Sequence, residues 1–199
     1  MSGTPVDFRP GSKQDRAGIA MMLARAFAGD PAFAHIFPDP ELRARRLPRL
    51  LGLIYDSDIR AGWIFVTPGG EAATLWRAPG KAATGLGEML AHAVPLVAAL
   101  GRALPRALSV SNAIEAHFPK RPFSYLHIAG CDPAAQGKGL GGAAIRAGIA
   151  AAPVGVPCYL ETATEANIGL YARFGFETVG EWRVPRGGPR FWSMARAAA

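Results

Sequence analysis

Apolar residues recur at helical spacing from Gln14 to Ala28, with Ile19, Met22, Leu23, Ala26 and Phe27 on one face. Gly29-Asp30-Pro31 ends that pattern, since a residue before proline is driven out of the helical region. A second helical pattern runs from Pro40 to Tyr55 through Leu42, Leu47, Leu50, Leu51 and Ile54, with Pro48 as a point where it can kink. The alternation then changes. "GWIFVT" and "AATLWRA" flank "PGGE", residues 68 to 71, and predict a hairpin, while "TPVDFRP" (4 to 10) reads as a short first strand. Residues 84 to 117 read as helix in two or three pieces, broken around Pro95, Gly101 and Pro105. "SYLHIAGC" (124 to 131) is strand-like, and 139 to 151 is a helix whose small face is Leu140, Ala143, Ala144 and Ala147. "CYLET" (158 to 162) is a strand, 165 to 174 a helix, and Gly175 its left-handed stop. "FETVGEWRV" and "RFWSMAR" close the chain as two more strands. The order predicts a mixed α/β sheet in one domain over residues 1–199.

Composition narrows the class. With 50% hydrophobic and 19% charged residues in 199, the chain can fill one core. The longest apolar runs, such as "AVPLVAAL" (93 to 100), are too short to span a bilayer, and the first residues lack the apolar centre of a secretory signal. A cytoplasmic, membrane-free protein is expected. Cys131 and Cys158 match neither a metal-ligand spacing nor a disulfide framework, so no metal is expected. The formal charge of +7 permits an anionic partner. Its densest basic run, "RARRLPR" (43 to 49), spreads over several faces of a helix, which favours a solvated surface over a nucleic-acid stripe.

The chemistry concentrates in "DPAAQGKGLGG" (132 to 142), between a strand and a helix. A Walker loop needs Ser or Thr after its lysine, but Lys138 is followed by Gly139. The dinucleotide pattern G-x-G-x-x-G is met by Gly137, Gly139 and Gly142, with Glu161 downstream, yet that pattern belongs in the turn directly after a strand. A third pattern, Gln-x-x-Gly-x-Gly, is met by Gln136, Gly139 and Gly141. Helix-start amides there lack intrahelical partners, and glycine lets a diphosphate approach them. Close packing of helix on sheet is the plain alternative.

Asp132-Pro133-x-x-Gln136-Gly137-Lys138-Gly139-Leu140-Gly141, then Leu160-Glu161-Thr162, then Asn167-x-x-x-Tyr171-x-x-x-Gly175-Phe176, together resemble the GNAT (GCN5-related) acyl-CoA N-acetyltransferases. Residues 159 to 196 and "AFAGDPAF" (26 to 33) resemble the puromycin N-acetyltransferase-like branch. The resemblance implies a single mixed, mainly antiparallel sheet flanked by helices, with two parallel strands, 124 to 131 and 158 to 162, splayed around acetyl-CoA. It implies that the pantetheine arm pairs with backbone at Ala129, Gly130 and Cys131. The diphosphate would rest on Gln136, Gly137, Lys138, Gly139, Leu140, Gly141 and Gly142, with Asn167 at the pantetheine. Tyr171 would donate a proton to the departing thiolate, and Glu161 would serve as base, directly or through water.

The reaction implied is direct transfer to a primary amine of a small molecule or peptide in a ternary complex. A CoA-binding domain without turnover, acting as sensor or interaction module, is the alternative. Phe33, His35, Tyr55, Trp76, His117 and Trp192 are candidate linings for an acceptor pocket, each of which core packing also explains. His127, alternating away from Leu126 and Ile128, can face the acceptor side, although a strand histidine with partners of its own is the commoner reading. Exposed strands at the C-terminus allow a homodimer.

Overall fold

Aspartates start two of the N-terminal helices. A computed structural model describes residues 8–83 and 93–198. Residues 4 to 7 of the expected first strand and 84 to 92 of the expected helical region lie outside the described residues. Strand β1 is Arg9–Pro10, and helix α1 is Arg16–Ala26. Asp30 then accepts the Ala32 and Phe33 amides at 2.9 and 3.2 Å to cap α2, Pro31–Ile36, with Pro31 in its first turn. The proline that ends one helical pattern therefore opens another, because a first-turn residue needs no amide hydrogen. Asp39 caps α3, Pro40–Ala61, in the same way, and the helix continues through Pro48 for another three turns beyond the expected kink.

Strands β2 (Gly62–Val66) and β3 (Ala72–Arg77) form the expected hairpin. Helices α4 (Ala93–Leu100) and α5 (Leu104–Ala116) follow, broken at Gly101 by a positive φ of 52° rather than at Pro95, which lies inside α4. Ala93–Ala116 taken together is long and apolar enough to cross a membrane, with mean hydropathy 1.3, a property the uninterrupted runs alone do not show. Here Leu100, Ala103 and Val110 turn inward to the core beside α3. Strand β4 is Ser124–Cys131, α6 is Leu140–Ala150, β5 is Cys158–Thr162 and α7 is Ile168–Ala172. Strands β6 (Glu177–Arg183) and β7 (Arg190–Arg196) complete a seven-stranded sheet in the order β1-β2-β3-β4-β5-β7-β6.

Only β4 and β5 pair in parallel among the described strands; every other pairing is antiparallel. On one face of the sheet, Ile19, Leu23, Leu47, Leu51 and Tyr55 from α1 and α3 pack with Leu75 and Ile128. On the other, Ile145 and Tyr171 pack with Trp76, Leu126, Leu160 and Met194. The buried side of α6 is Ala144, Ile145 and Gly148, one step round from the expected face, since Leu140, Ala143 and Ala147 stay half-exposed. Gly148 sets the distance: a Cβ there would lie 2.0 Å from the indole nitrogen of Trp76, itself fully buried.

The arginines of "RARRLPR" have structural uses. Arg43 donates to the carbonyls of Ala28 and Phe37 at 2.9 and 2.7 Å, and Arg46 to those of Ala98 and Ala99 at 3.1 and 2.9 Å. They close helix ends, where carbonyls run out of intrahelical donors.

Gly148→Val should destabilise the fold by about 1–3 kcal/mol through overpacking against Trp76. Urea unfolding monitored by tryptophan fluorescence checks this, and an unchanged midpoint contradicts the close approach.

Candidate active site

The parallel pair separates almost at once. Ser124 pairs with Cys158 and Tyr125 with Tyr159, and there the register stops, although β4 runs on to Cys131 and β5 to Thr162. Beyond that point β4 stays paired with β3 as far as Cys131 opposite Ala72, and β5 stays paired with β7 as far as Thr162 opposite Trp192. The inner edges of both strands therefore carry backbone donors and acceptors without a strand partner.

At the far end of β4, Gly130 admits α1, since a Cβ there would meet Leu23 at 2.4 Å. Asp132 pairs with Arg25 and caps a short turn by accepting the Ala134 amide at 3.0 Å, and the Gln136 side chain reaches back to the Cys131 carbonyl at 3.4 Å. Gly137 and Gly139 follow with φ of 79° and 78°, the left-handed region that costs other L-residues strain. Nothing stands within 4 Å of where a Cβ would be at either position. Gly139 is the N-cap of α6, and the first helical bond runs from the Ala143 amide to its carbonyl. The amides of Leu140, Gly141 and Gly142 thus precede the ladder, at the positive end of the dipole. Gln136 through Gly139, including Lys138, are exposed. Cys131 is half-buried, with its thiol pushed up chiefly by desolvation, so it is not an activated nucleophile.

On the α3–α5 side of the sheet the gap opens into a cavity of about 380 Å³. Its walls are largely apolar, with Phe27, Phe33, Ile36, Leu53, Ile54 and Leu96 among them. Asp30, His127, Glu161, Asn167 and Tyr171 line it too, as do Arg77, Asn112 and Glu115. Asn167 contacts the Thr162 hydroxyl at 3.5 Å, and the Tyr171 ring meets Phe176 edge-on at 6.1 Å. Glu161, Asn167 and Tyr171 all lie on the wall of this cavity. The other suggested linings are not, apart from Phe33. Tyr55 is fully buried and donates to the Ser12 carbonyl at 2.7 Å, Trp76 lies under Gly148, and His117 stacks on Trp182 at 4.1 Å. His35 and Trp192 lie outside the cavity wall.

Burial sets the electrostatics. Both Glu161 oxygens are shielded from solvent without a hydrogen-bond partner. Desolvation pushes its pKa up to about 8; the phenols of Tyr125 and Tyr159 offset part of that rise, although neither completes a bond of normal geometry. Desolvation, with Asp30 nearby, pushes the Tyr171 phenol up to about 12, so it keeps its proton at any neutral pH. Burial raises Asp30 as well, against the pull of the two helix amides it accepts.

Reasoning from sequence missed Asp30, whose Asp-Pro signature is a helix start, and Asp58. Asp58 is fully buried on α3 between Arg77 and His127. A lone Asp near the end of an amphipathic helix carries no signal of such a partner on a strand far along the chain.

No family model matches the chain. Solved structures do. A histone acetyltransferase HPA2 and related acetyltransferase from Corynebacterium glutamicum is 28% identical, with a TM-score of 0.74 over 96% of each chain. Arylalkylamine N-acetyltransferase 2 from Aedes aegypti superposes with a TM-score of 0.60 at 13% identity, over 96% of this chain and 98% of that one. A GCN5-related N-acetyltransferase from Rhodopseudomonas palustris does so at 0.58 and 10%, over 99% and 98%. The fold is that of the GCN5-related N-acetyltransferases, and the likeness to the Corynebacterium protein supports an acetyltransferase. These neighbours support the class and do not single out the puromycin-type branch.

The Glu161 environment has a consequence for stability. Its folded pKa lies above the ordinary carboxylate range, so the folded state holds a proton that the unfolded state has released, and stability falls as pH rises through that window. Relative to Glu161→Gln, the wild type should lose up to about 1.4 kcal/mol per pH unit between about pH 5 and about pH 8. Parallel denaturation curves for the two proteins across that range would show that the carboxylate ionises normally.

Proposed function

We propose that the chain transfers the acetyl group of acetyl-CoA to the primary amine of a small molecule or peptide, by direct attack in a ternary complex. The observation that carries this reading is the parting of β4 from β5 after Tyr125 and Tyr159, with Glu161, Asn167 and Tyr171 on the cavity it opens. The unpaired inner edge at Ala129, Gly130 and Cys131 suits an extended pantetheine arm, which can add as a strand. Gly137 through Gly142, with Gln136 and Lys138 at the rim, suit a diphosphate: the backbone is left-handed at two glycines, and the space before them is open.

Acetyl-CoA supplies an activated acyl group as its thioester. The chain's residues do the rest. Strand amides at the parted edge can polarise the thioester carbonyl, and the cavity orients the amine toward it. Tyr171, kept neutral by burial, donates its hydrogen to the sulfur as the bond to carbon breaks. Asn167 steadies the arm near that sulfur. Glu161, whose oxygens are sealed and whose carboxyl holds its proton up to about pH 8, can accept a proton only above that pH and only through water. Largely apolar walls that also carry Asp30, Glu115 and Glu161 favour an amine attached to an apolar body. The Aedes neighbour is an arylalkylamine N-acetyltransferase, and arylalkylamines have that character.

Two substitutions separate the roles. Tyr171→Phe should lower kcat by about 10²-fold while calorimetric acetyl-CoA affinity stays level; unchanged turnover removes Tyr171 from the chemistry. Gly139→Val should instead raise the Kd for acetyl-CoA by about tenfold or more, because strain in the left-handed region of about 1–2 kcal/mol adds to crowding of the phosphates. Equal affinity places the diphosphate elsewhere. Wild-type binding of acetyl-CoA with no thiol release for any amine would favour the sensor.

A further inference from the structure

We propose that His127, held by Asp58, is the group that takes the proton from the acceptor's ammonium. This deepens the proposed transfer reaction and rests on it.

Asp58 has no exposed surface, and it accepts the Arg77 Nε at 2.7 Å and the His127 Nδ1 at 2.8 Å. Burying a carboxylate is costly unless it is paired; Arg77 pairs with this one, and a carboxylate so paired accepts hydrogen bonds only. His127 must then carry a hydrogen on Nδ1. In the neutral ring the lone pair falls on Nε2.

The strand is shaped to present that ring. Leu75 pairs with Ile128 while Trp76 pairs with Leu126, so one step on β3 spans two on β4, and His127 is the extra residue of a bulge. Simple alternation fails there. Leu126 joins the core under α6, Ile128 joins the core under α1 and α3, and His127 is left facing the cavity. Its side chain is 28% exposed, and its ring stacks on Tyr125 at 5.3 Å. The groups around it are Asp58 from α3, Arg77 from β3, Tyr125 on its own strand and, beyond Tyr125, Glu161 from β5. Glu161 is sealed, whereas His127 is open to the acceptor.

The protons balance. The ammonium gives one to Nε2, and Asp58 offsets the charge on the imidazolium. The freed lone pair forms the C–N bond at the thioester carbon, the C–S bond breaks, and the sulfur takes the Tyr171 hydrogen. The second proton lost by nitrogen restores the phenol by way of water, and the imidazolium releases its own to solvent. Ammonium and thioester become amide, thiol and one free proton.

Two measurements test the assignment. Long-range nitrogen–proton correlation spectra of histidine-labelled wild type should show His127 as the Nδ1–H tautomer, with Asp58→Asn shifting it toward a mixture; an Nε2–H ring in the wild type overturns the proposal without any assay of activity. With phenylethylamine, or another primary alkylamine that the wild type turns over faster, His127→Gln should lower kcat/KM by about 10²-fold near neutral pH and leave acetyl-CoA affinity unchanged. That deficit should shrink as pH rises toward about 10, where the amine is already free. Glu161 ionises in both proteins, so its effect cancels in the ratio. A ratio constant over that range assigns His127 to packing and overturns the base. Wild type that turns over no amine refutes the transfer reaction itself.

Discussion

Two strands that pair for two residues and then separate shape everything else in this molecule. Strand β5 is bound along its whole length to β7, and β4 is bound to β3 up to Cys131, so each is committed to its outer neighbour. Beyond Tyr125 and Tyr159 the middle of the sheet stays open. The gap leaves main-chain groups that need partners, and a buried main-chain group without one is costly. An extended ligand arm is a natural way to satisfy them.

Charge placement follows from the same gap. Most acids among the described residues lie at the surface or cap helices, as Asp15, Asp39 and Asp132 do. Three others lie under the cavity in different states. Asp58 is compensated by Arg77 and His127; Asp30 is partly compensated by two helix amides; Glu161 has no partner and keeps its proton near neutrality. A graded set of this kind gives one site a neutral carboxyl, an oriented imidazole and a neutral phenol at the same pH.

Much of this was legible in the chain. Strand β4 begins and ends where "SYLHIAGC" does, and β5 where "CYLET" does, as the sequence predicts. The spacing of Asn167 and Tyr171, one helical turn apart, put both on one face whatever the fold. The stretch from Gln136 to Gly142 announced backbone conformations only glycine adopts freely, and Gly137 and Gly139 adopt them. Less legible were features that depend on a distant partner. Pro31 looked like a terminator because its role as a first-turn residue depends on Asp30 turning its carboxylate to the helix. Aromatic residues suggested a pocket, yet Tyr55, Trp76 and His117 found partners elsewhere, and apolar content alone does not say which side of a wall a ring is on.

The local order of helices, hairpin and strands, and the glycine-rich helix start, were determined by the sequence itself, because backbone preference and hydrophobic period act over a few residues. Where a side chain points across a bulge, and whether a buried acid meets an arginine, a histidine or nothing, was decided by tertiary structure. Asp58 lies 69 residues from His127 along the chain, and only the docking of α3 on the sheet makes them a pair. Interactions of that kind depend on distances that no local pattern encodes.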